Sequence, residues 1–223
     1  MRGTSWSFCR RSFLISTAAG ILGGRALAQT DDTANDKAGD VFPLANCPVC
    51  ETQLGSTDKI LREENREIRT CDEQCMEKLQ ADYFRFLDAI DAQIIVEQSD
   101  YYPLKACPVT GTSLEGKEPL DIVFRNRLFR VCCEDCRYKI EEEPAKYFTM
   151  LNAAVVKKQK ADYPLKTCLV SKKPLGGKAV DHVCANMLIR LADPEQIARF
   201  NESPGKYLEE LRKLREKSKK TAK

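Results

Sequence analysis

Histidine is nearly absent from this chain: its 223 residues include a single one, His182. One imidazole leaves little for acid–base catalysis near neutral pH beyond what carboxylates can supply. The sequence also lacks a Ser-His-Asp set, a glycine-rich phosphate loop and a His-rich hydrolase motif. Long apolar runs are missing as well. The hydrophobic fraction of 43% supports folded structure, but the run from Phe13 to Leu22 is too short to be a permanent membrane span. These absences point to a non-enzymatic protein without a stable membrane span.

A large charge excess is the next absence, and the +3 that is present comes from the first residues. Cys9-Arg10-Arg11-Ser12-Phe13-Leu14 resembles a twin-arginine export signal, although Ile15 stands where a later Lys is usual. Ala26-Leu27-Ala28 matches an A-x-A cleavage site, so residues 1–28 read as a removable signal and Gln29 as the mature start. An ordinary secretory signal and an uncleaved anchor are the competing readings. Residues 1–28 hold four of the 36 basic residues and none of the 33 acidic ones, so the remainder carries 32 against 33, a balance of −1. A nucleic-acid binder needs a basic field, and this chain has none. The expected location is periplasmic or otherwise extracytoplasmic.

Cysteine is plentiful, with 11 residues, and its placement follows an internal repeat. After a polar leader at 29–41, Phe42-Pro43-Leu44, Tyr102-Pro103-Leu104 and Tyr163-Pro164-Leu165 open three units at 42–100, 101–161 and 162–218, followed by a basic tail at 219–223. Cys47, Cys107 and Cys168 share one column. Asn65, Asn126 and Asn186 share another, at expected hairpin turns. Arg69, Arg130 and Arg190 follow, suited to a solvated strand face or a capping role. Ile122 to Val131 alternates around Asn126-Arg127 as two short strands and a turn. Cys133 to Glu142 is helical in composition, and Pro144 opens a second helix to about Lys158. Second helices are expected from Tyr83 to about Glu97 and from Pro204 to about Lys217. Units of roughly 60 residues have thin cores and call for metals, disulfides or partners. The third unit, with the fewest cysteines, is expected to lean on the second through apolar faces.

Unit one reads Cys47-x2-Cys50-x20-Cys71-x3-Cys75. Two close pairs separated by one hairpin fit a tetrahedral four-thiolate site. Cys71 and Cys75 fall at i and i+4 of a helix start, where the helix terminus favours thiolate charge. Two disulfides, or a redox dithiol, are the alternatives; the dithiol motif belongs with a βαβ pattern that is not seen. In unit two Thr110 stands in place of Cys50, leaving Cys107, Cys132 and Cys136, with Cys133 as an extra thiol. With Cys133 inward the site has four thiolates, and otherwise three and an open position. Closed sites suit Zn2+ and few-coordinate thiolate sites suit Cu+. Unit three keeps Cys168 and adds His182 and Cys184. Two thiolates and one imidazole could form a site, but His182 stands in the column of Ile122 and reads as a packed strand histidine, with thiols that are free or disulfide-paired.

The run Asn126-Arg127-Leu128-Phe129-Arg130-Val131-Cys132-Cys133-Glu134-Asp135-Cys136, followed by Pro144-Ala145-Lys146-Tyr147, resembles the YHS and TRASH group of small metal-binding domains. The resemblance covers most of the chain beyond the leader as three copies, the third degenerate. It implies an α+β architecture of tandem treble-clef-like units, each a knuckle, a β-hairpin and two helices. It implies a role in heavy-metal trafficking, sensing or buffering, with Cys47 and Cys107 as knuckle ligands and Cys71, Cys75, Cys132 and Cys136 as helix-start ligands. Thr110 and Ser171 depart from the pattern where a second knuckle cysteine is expected, and unit three has Ala192 and Gln196 at the helix start. The expected partners are Zn2+ or Cu+ ions and another extracytoplasmic protein. The competing function is a structural or interaction module whose metals or disulfides only hold the fold.

Overall fold

The computed structural model describes residues 39–221. The expected export signal at 1–28, residues 29–38 of the expected leader and residues 222–223 of the tail lie outside the described residues. The fold is α+β, with six helices and three antiparallel two-stranded hairpins among the described residues. Unit one contains β1 (Lys59–Glu63), β2 (Arg66–Thr70), α1 (Glu73–Ala81) and α2 (Tyr83–Ser99). Unit two contains β3 (Leu120–Phe124), β4 (Arg127–Val131), α3 (Glu134–Glu142) and α4 (Pro144–Gln159). Unit three contains β5 (Val180–Cys184), β6 (Met187–Leu191), α5 (Gln196–Glu202) and α6 (Pro204–Thr221). No helix among the described residues is long and apolar enough to cross a membrane.

Turn chemistry explains why the hairpins recur. Their central pairs, Glu64–Asn65, Arg125–Asn126 and Ala185–Asn186, all adopt positive φ between 48° and 66°. Two consecutive left-handed residues make the tight turn whose twist matches antiparallel strands, and Asn tolerates that conformation best among the larger residues. The unit-two turn falls one residue earlier than the sequence reading placed it, because Arg127 already pairs with Phe124 in the ladder. Ahead of each hairpin a knuckle is built the same way three times. The Cys47 N–H donates to Thr52 O at 2.8 Å and its carbonyl accepts from Glu51 N at 2.9 Å. Cys107 does the same with Thr112 and Gly111, and Cys168 with Lys173 and Lys172. Glu51, Gly111 and Lys172 close these knuckles with φ of 62°, 72° and 58°.

The units do not stand alone. The second helix of each of the first two units lies on the hairpin of the next. At the end of α2, Gln98 donates Nε2 to Asn126 O and accepts the Leu128 N–H on Oε1, both at 2.9 Å. At the end of α4, Gln159 makes the equivalent pair with Asn186 O and Leu188 N, at 2.8 and 3.0 Å. The turn asparagines reach the other way: Asn126 Nδ2 donates to Glu67 O and Asn186 Nδ2 to Leu128 O. Apolar contact follows the same path, since Val155 of α4 packs with Val183 and Leu188 of the third hairpin. The expected apolar lean of unit three on unit two is therefore present. Unit three also returns to unit one. Arg69 of β2 donates to Glu202 O at 2.9 Å and Asn201 O at 2.7 Å, capping the end of α5. Arg212 of α6 pairs with Glu97 of α2 at 2.6 Å. The α5–α6 junction comes so close to Leu44 that a Cβ on Gly205 would collide with the Leu44 carbonyl.

The end of the expected leader corrects the sequence reading. Asp40, assigned to a flexible polar stretch, is 3% exposed. Both its carboxylate oxygens face Arg127, which is 1% exposed, at 2.5 Å. The same carboxylate accepts the Ala185 N–H at 2.7 Å, while Asp40 N and O engage Arg125 O and Asn126 Nδ2. One residue thus joins the opening strap to the turns of the second and third hairpins. Removing one member of a buried, bidentate pair costs about 3–5 kcal/mol, because it strands the other charge. We expect Asp40→Ala to lose about that much in denaturant unfolding of the reduced protein at fixed metal content. The double variant Asp40→Leu, Arg127→Met should recover part of the loss.

His182 is a packed strand histidine, as the sequence suggests. It pairs with Ile189 across the hairpin, is 5% exposed and sits edge-on to Phe200 at 5.5 Å. Burial lowers its pKa from 6.5 to about 4, with Asp40 opposing and Arg127 assisting. The unfolded chain therefore takes up a proton below pH 6.5 that the folded chain refuses until about pH 4. Stability from this group is complete above pH 6.5 and falls with acidification through that window, by about 3 kcal/mol in full. His182→Ile, which installs the residue found at the matching position Ile122, should flatten the difference in unfolding free energy between pH 7 and pH 5.

Candidate metal centres

The four unit-one thiols meet where the knuckle faces the start of α1. Sγ atoms of Cys47, Cys50, Cys71 and Cys75 all lie within 4.8 Å of one another. The Cys50–Cys71 separation is 3.3 Å and the Cys71–Cys75 separation is 3.6 Å. Four thiolates at about 2.3 Å from one ion would stand about 3.8 Å apart, so the donor type and spacing fit a tetrahedral site. A disulfide needs about 2.05 Å, and all ten described cysteines are free thiols. Cys47 and Cys75 are buried, Cys71 is half-buried and Cys50 opens to solvent.

Local structure explains the convergence. Cys71 directly follows β2, one residue before the helix cap, rather than lying in the helix as expected. Asp72 is the cap: its Oδ1 accepts the Cys75 N–H at 2.8 Å, which fixes the third residue of α1 and its thiol. The cap carboxyl is held below its ordinary value by that same N–H. Asp72 was not singled out from the sequence, although an Asp just before a helix is a readable cap signal.

Burial, not the helix terminus, governs the acidities of Cys71 and Cys75. It raises Cys71 above the ordinary thiol range, with Cys50 and Cys75 adding to the rise, and takes Cys75 to about 12. Cys50 is lowered to about 6 by the facing Thr52 hydroxyl and the Thr52 backbone. The expected stabilisation of helix-start thiolates is thus outweighed by desolvation, and the acidic thiol is in the knuckle.

Unit two repeats the plan with one donor fewer. Cys107, Cys132 and Cys136 lie mutually within 4.8 Å. Thr110 fills the Cys50 position, its Oγ1 3.5 Å from Cys132 Sγ and 3.0 Å from Thr112 Oγ1. Cys133 falls outside the mutually close set. Its Sγ is 3.5 Å from Cys136 and 3.8 Å from Cys132, on the exposed side. Cys133 occupies the cap position of α3 that Asp72 holds in unit one, without a side-chain capping bond. Burial pushes Cys107 upward, but the Thr110 backbone and hydroxyl, with the Cys132 and Val109 backbone, bring it to about 6. Burial raises Cys136 above the ordinary thiol range.

Unit three forms no such group among the described residues. Cys168 and Cys184 are buried free thiols in its core, and Cys168 Sγ accepts the Ser171 N–H at 3.4 Å. Gln196, at the Cys75 position, instead donates to Asp193 Oδ1 at 3.2 Å. No protein-family model, curated protein or solved structure matches this chain.

The acidities set a pH dependence. Metal binding needs thiolates, so loading site one would have to displace the protons that burial holds on Cys71 and Cys75, whereas Cys50 gives up its proton near pH 6. Below about pH 6 the proton on Cys50, and in site two that on Cys107, must also be displaced. We expect metal affinity to fall with acidification and to fall more steeply below pH 6, measured by chelator competition across pH 5 to 8.

Proposed function

We propose that this chain is an exported, non-enzymatic metal-binding protein that handles soft or borderline ions, Zn2+ or Cu+, in trafficking, sensing or buffering. Its three units are YHS/TRASH-like in this reading. The observation that carries it is the cluster of four free thiols, Cys47, Cys50, Cys71 and Cys75, within 4.8 Å of one another. Thiolates in that number select soft and borderline ions over magnesium or calcium. The twin-arginine-like start supports export, since that route carries folded proteins that can be loaded in the reducing cytosol first.

The competing reading, in which metal only holds the fold, is weakened by unit three. That unit builds the same knuckle, hairpin and helix pair with Ala192 and Gln196 in place of the helix-start thiols. Its core of Leu169, Met187, Ile189, Leu191, Phe200, Leu208 and Leu211 does the work instead. The plan of the unit therefore does not need an ion, which leaves the two thiol clusters to be explained by what they bind.

Elemental analysis of the protein without its first 28 residues, purified without added metal or reductant, tests the reading. About two ions per chain are expected, together with thiols that react fully after the metal is stripped. Cys71→Ser should lose the unit-one ion while unit two keeps its own. Metal-free protein with the unit-one thiols oxidised in pairs would overturn the proposal.

A further inference from the structure

The two clusters are not copies of one site, and the difference lies in two substituted positions. At the knuckle, a thiol in unit one becomes the Thr110 hydroxyl in unit two. At the helix cap, the Asp72 carboxylate in unit one becomes the Cys133 thiol. Donor number is thereby redistributed. Unit one has four sulfurs facing one point. Unit two has three, and a fourth sulfur beside them on the solvent side, 3.5 Å from Cys136 and 3.8 Å from Cys132.

Each change has a stability cost or a chemical consequence that points the same way. An aspartate cap accepts the N–H of the residue three on, as Asp72 does for Cys75 at 2.8 Å. Cys133 makes no side-chain capping bond, and losing such a cap costs about 1 kcal/mol. The thiol faces the Cys136 backbone N–H, which lowers its pKa, but makes no capping bond to the helix. Its neighbours are two other thiols, and its own face is exposed. Thr110, meanwhile, is a neutral oxygen donor, weak for a soft ion, and it is engaged with Thr112 at 3.0 Å.

We propose that site two is an exchange site, in which Cys107, Cys132 and Cys136 hold a monovalent soft ion, Cu(I), and Cys133 is the thiolate through which that ion enters and leaves. The inference rests on the reading that the thiol clusters bind metal. Exchange is a ligand substitution with no change of oxidation state. Cys133 gives its proton to solvent and bonds to the ion as the bond to Cys107, the buried ligand outside its reach, breaks. Cys107 is released as a thiolate, so one thiolate replaces another on the ion. The ion is then carried by Cys132, Cys133 and Cys136, the first two of them exposed, so an incoming thiolate of an acceptor can displace them in turn. Site one, whose exposed Cys50 is already one of its four converging sulfurs, has an aspartate at the cap and no further thiol beside it among the described residues, so it lacks this step.

The test uses the full chain, reduced and anaerobic, with one equivalent of Cu(I) added after site one is filled with Zn2+. Equilibrium binding is read by competition with a bicinchoninate chelator, and transfer to the chelator by stopped-flow absorbance. Cys133→Ser should keep the bound ion at equilibrium but slow its transfer by about tenfold or more, the scale on which a partner beside a metal site acts. Cys136→Ser should lose the ion. Cys133→Asp, which restores the cap of unit one, should transfer as slowly as Cys133→Ser while melting higher. Transfer from Cys133→Ser at the wild-type rate would overturn the proposal, and so would complete loss of Cu(I) binding in that variant, since Cys133 would then be an ordinary ligand. Failure of the wild-type chain to bind either Zn2+ or Cu(I) would instead defeat the metal-binding reading itself.

Discussion

The ion pair between Asp40 and Arg127 is the constraint on which the arrangement of the units depends. Both groups are essentially removed from solvent. Such a pair is tolerated only when the remaining donors are satisfied as well, and they are: Arg127 also reaches Asn152 Oδ1 and Val183 O, and Asp40 accepts Ala185 N. These partners come from α4 and β5 and from the turn before β6, so the pair is complete only when units two and three are docked and the strap before unit one is in place. A buried pair of this kind adds little net stability over a hydrophobic contact. It specifies one packing, because any other arrangement leaves charge unpaired in a dry interior. The glutamine clamps of Gln98 and Gln159 act in the same sense by occupying the free backbone groups of each following turn.

Much of the fold was legible because it is local and repeated. Asparagine at the turns, proline at the start of the second helices and the 60-residue spacing each carry their own physical signal, and three copies remove ambiguity. The site was legible for the same reason, since cysteine columns at fixed offsets from a hairpin must converge if the hairpin forms. What was not legible depends on contacts between units. Asp40 sits in a polar run with no apolar period, and nothing local marks it as buried. Arg69 was read as a solvated or capping residue. It does cap a helix, but that helix lies about 130 residues later in the chain, at Asn201 and Glu202. The thiol acidities were misjudged at the helix start because a terminus effect can be estimated from sequence, whereas the burial that outweighs it cannot.

Unit three clarifies what the cysteines do. Its knuckle has the same hydrogen bonds, its hairpin the same register and its helices the same break at Ser203 that Asp82 and Glu143 provide in the others. In place of the thiol cluster it has an apolar core, with Phe200 packed against His182 and Tyr207. The unit is therefore a scaffold that can be filled either by carbon or by sulfur. Filling with carbon contributes about 25 cal/mol per Å² buried and is permanent. Filling with sulfur gives up some of that burial and requires thiolates, whose ionisation the same burial opposes.

That opposition bears on how tightly folding and metal binding are linked. An isolated small metal domain unfolds when its ion leaves, since the ion supplies most of its stability. Here unit one shares its core with Val123 of unit two, and unit two shares its core with Ile95 of unit one. Each sulfur site is thus held on two sides by structure that does not depend on an ion. A site supported in this way can lose its metal at the cost of local repulsion and desolvation among a few thiols, rather than at the cost of the fold. Interlocking the units therefore weakens the coupling that a lone unit of about 60 residues would have to accept, and it is the physical condition under which a thiolate site can be emptied and refilled.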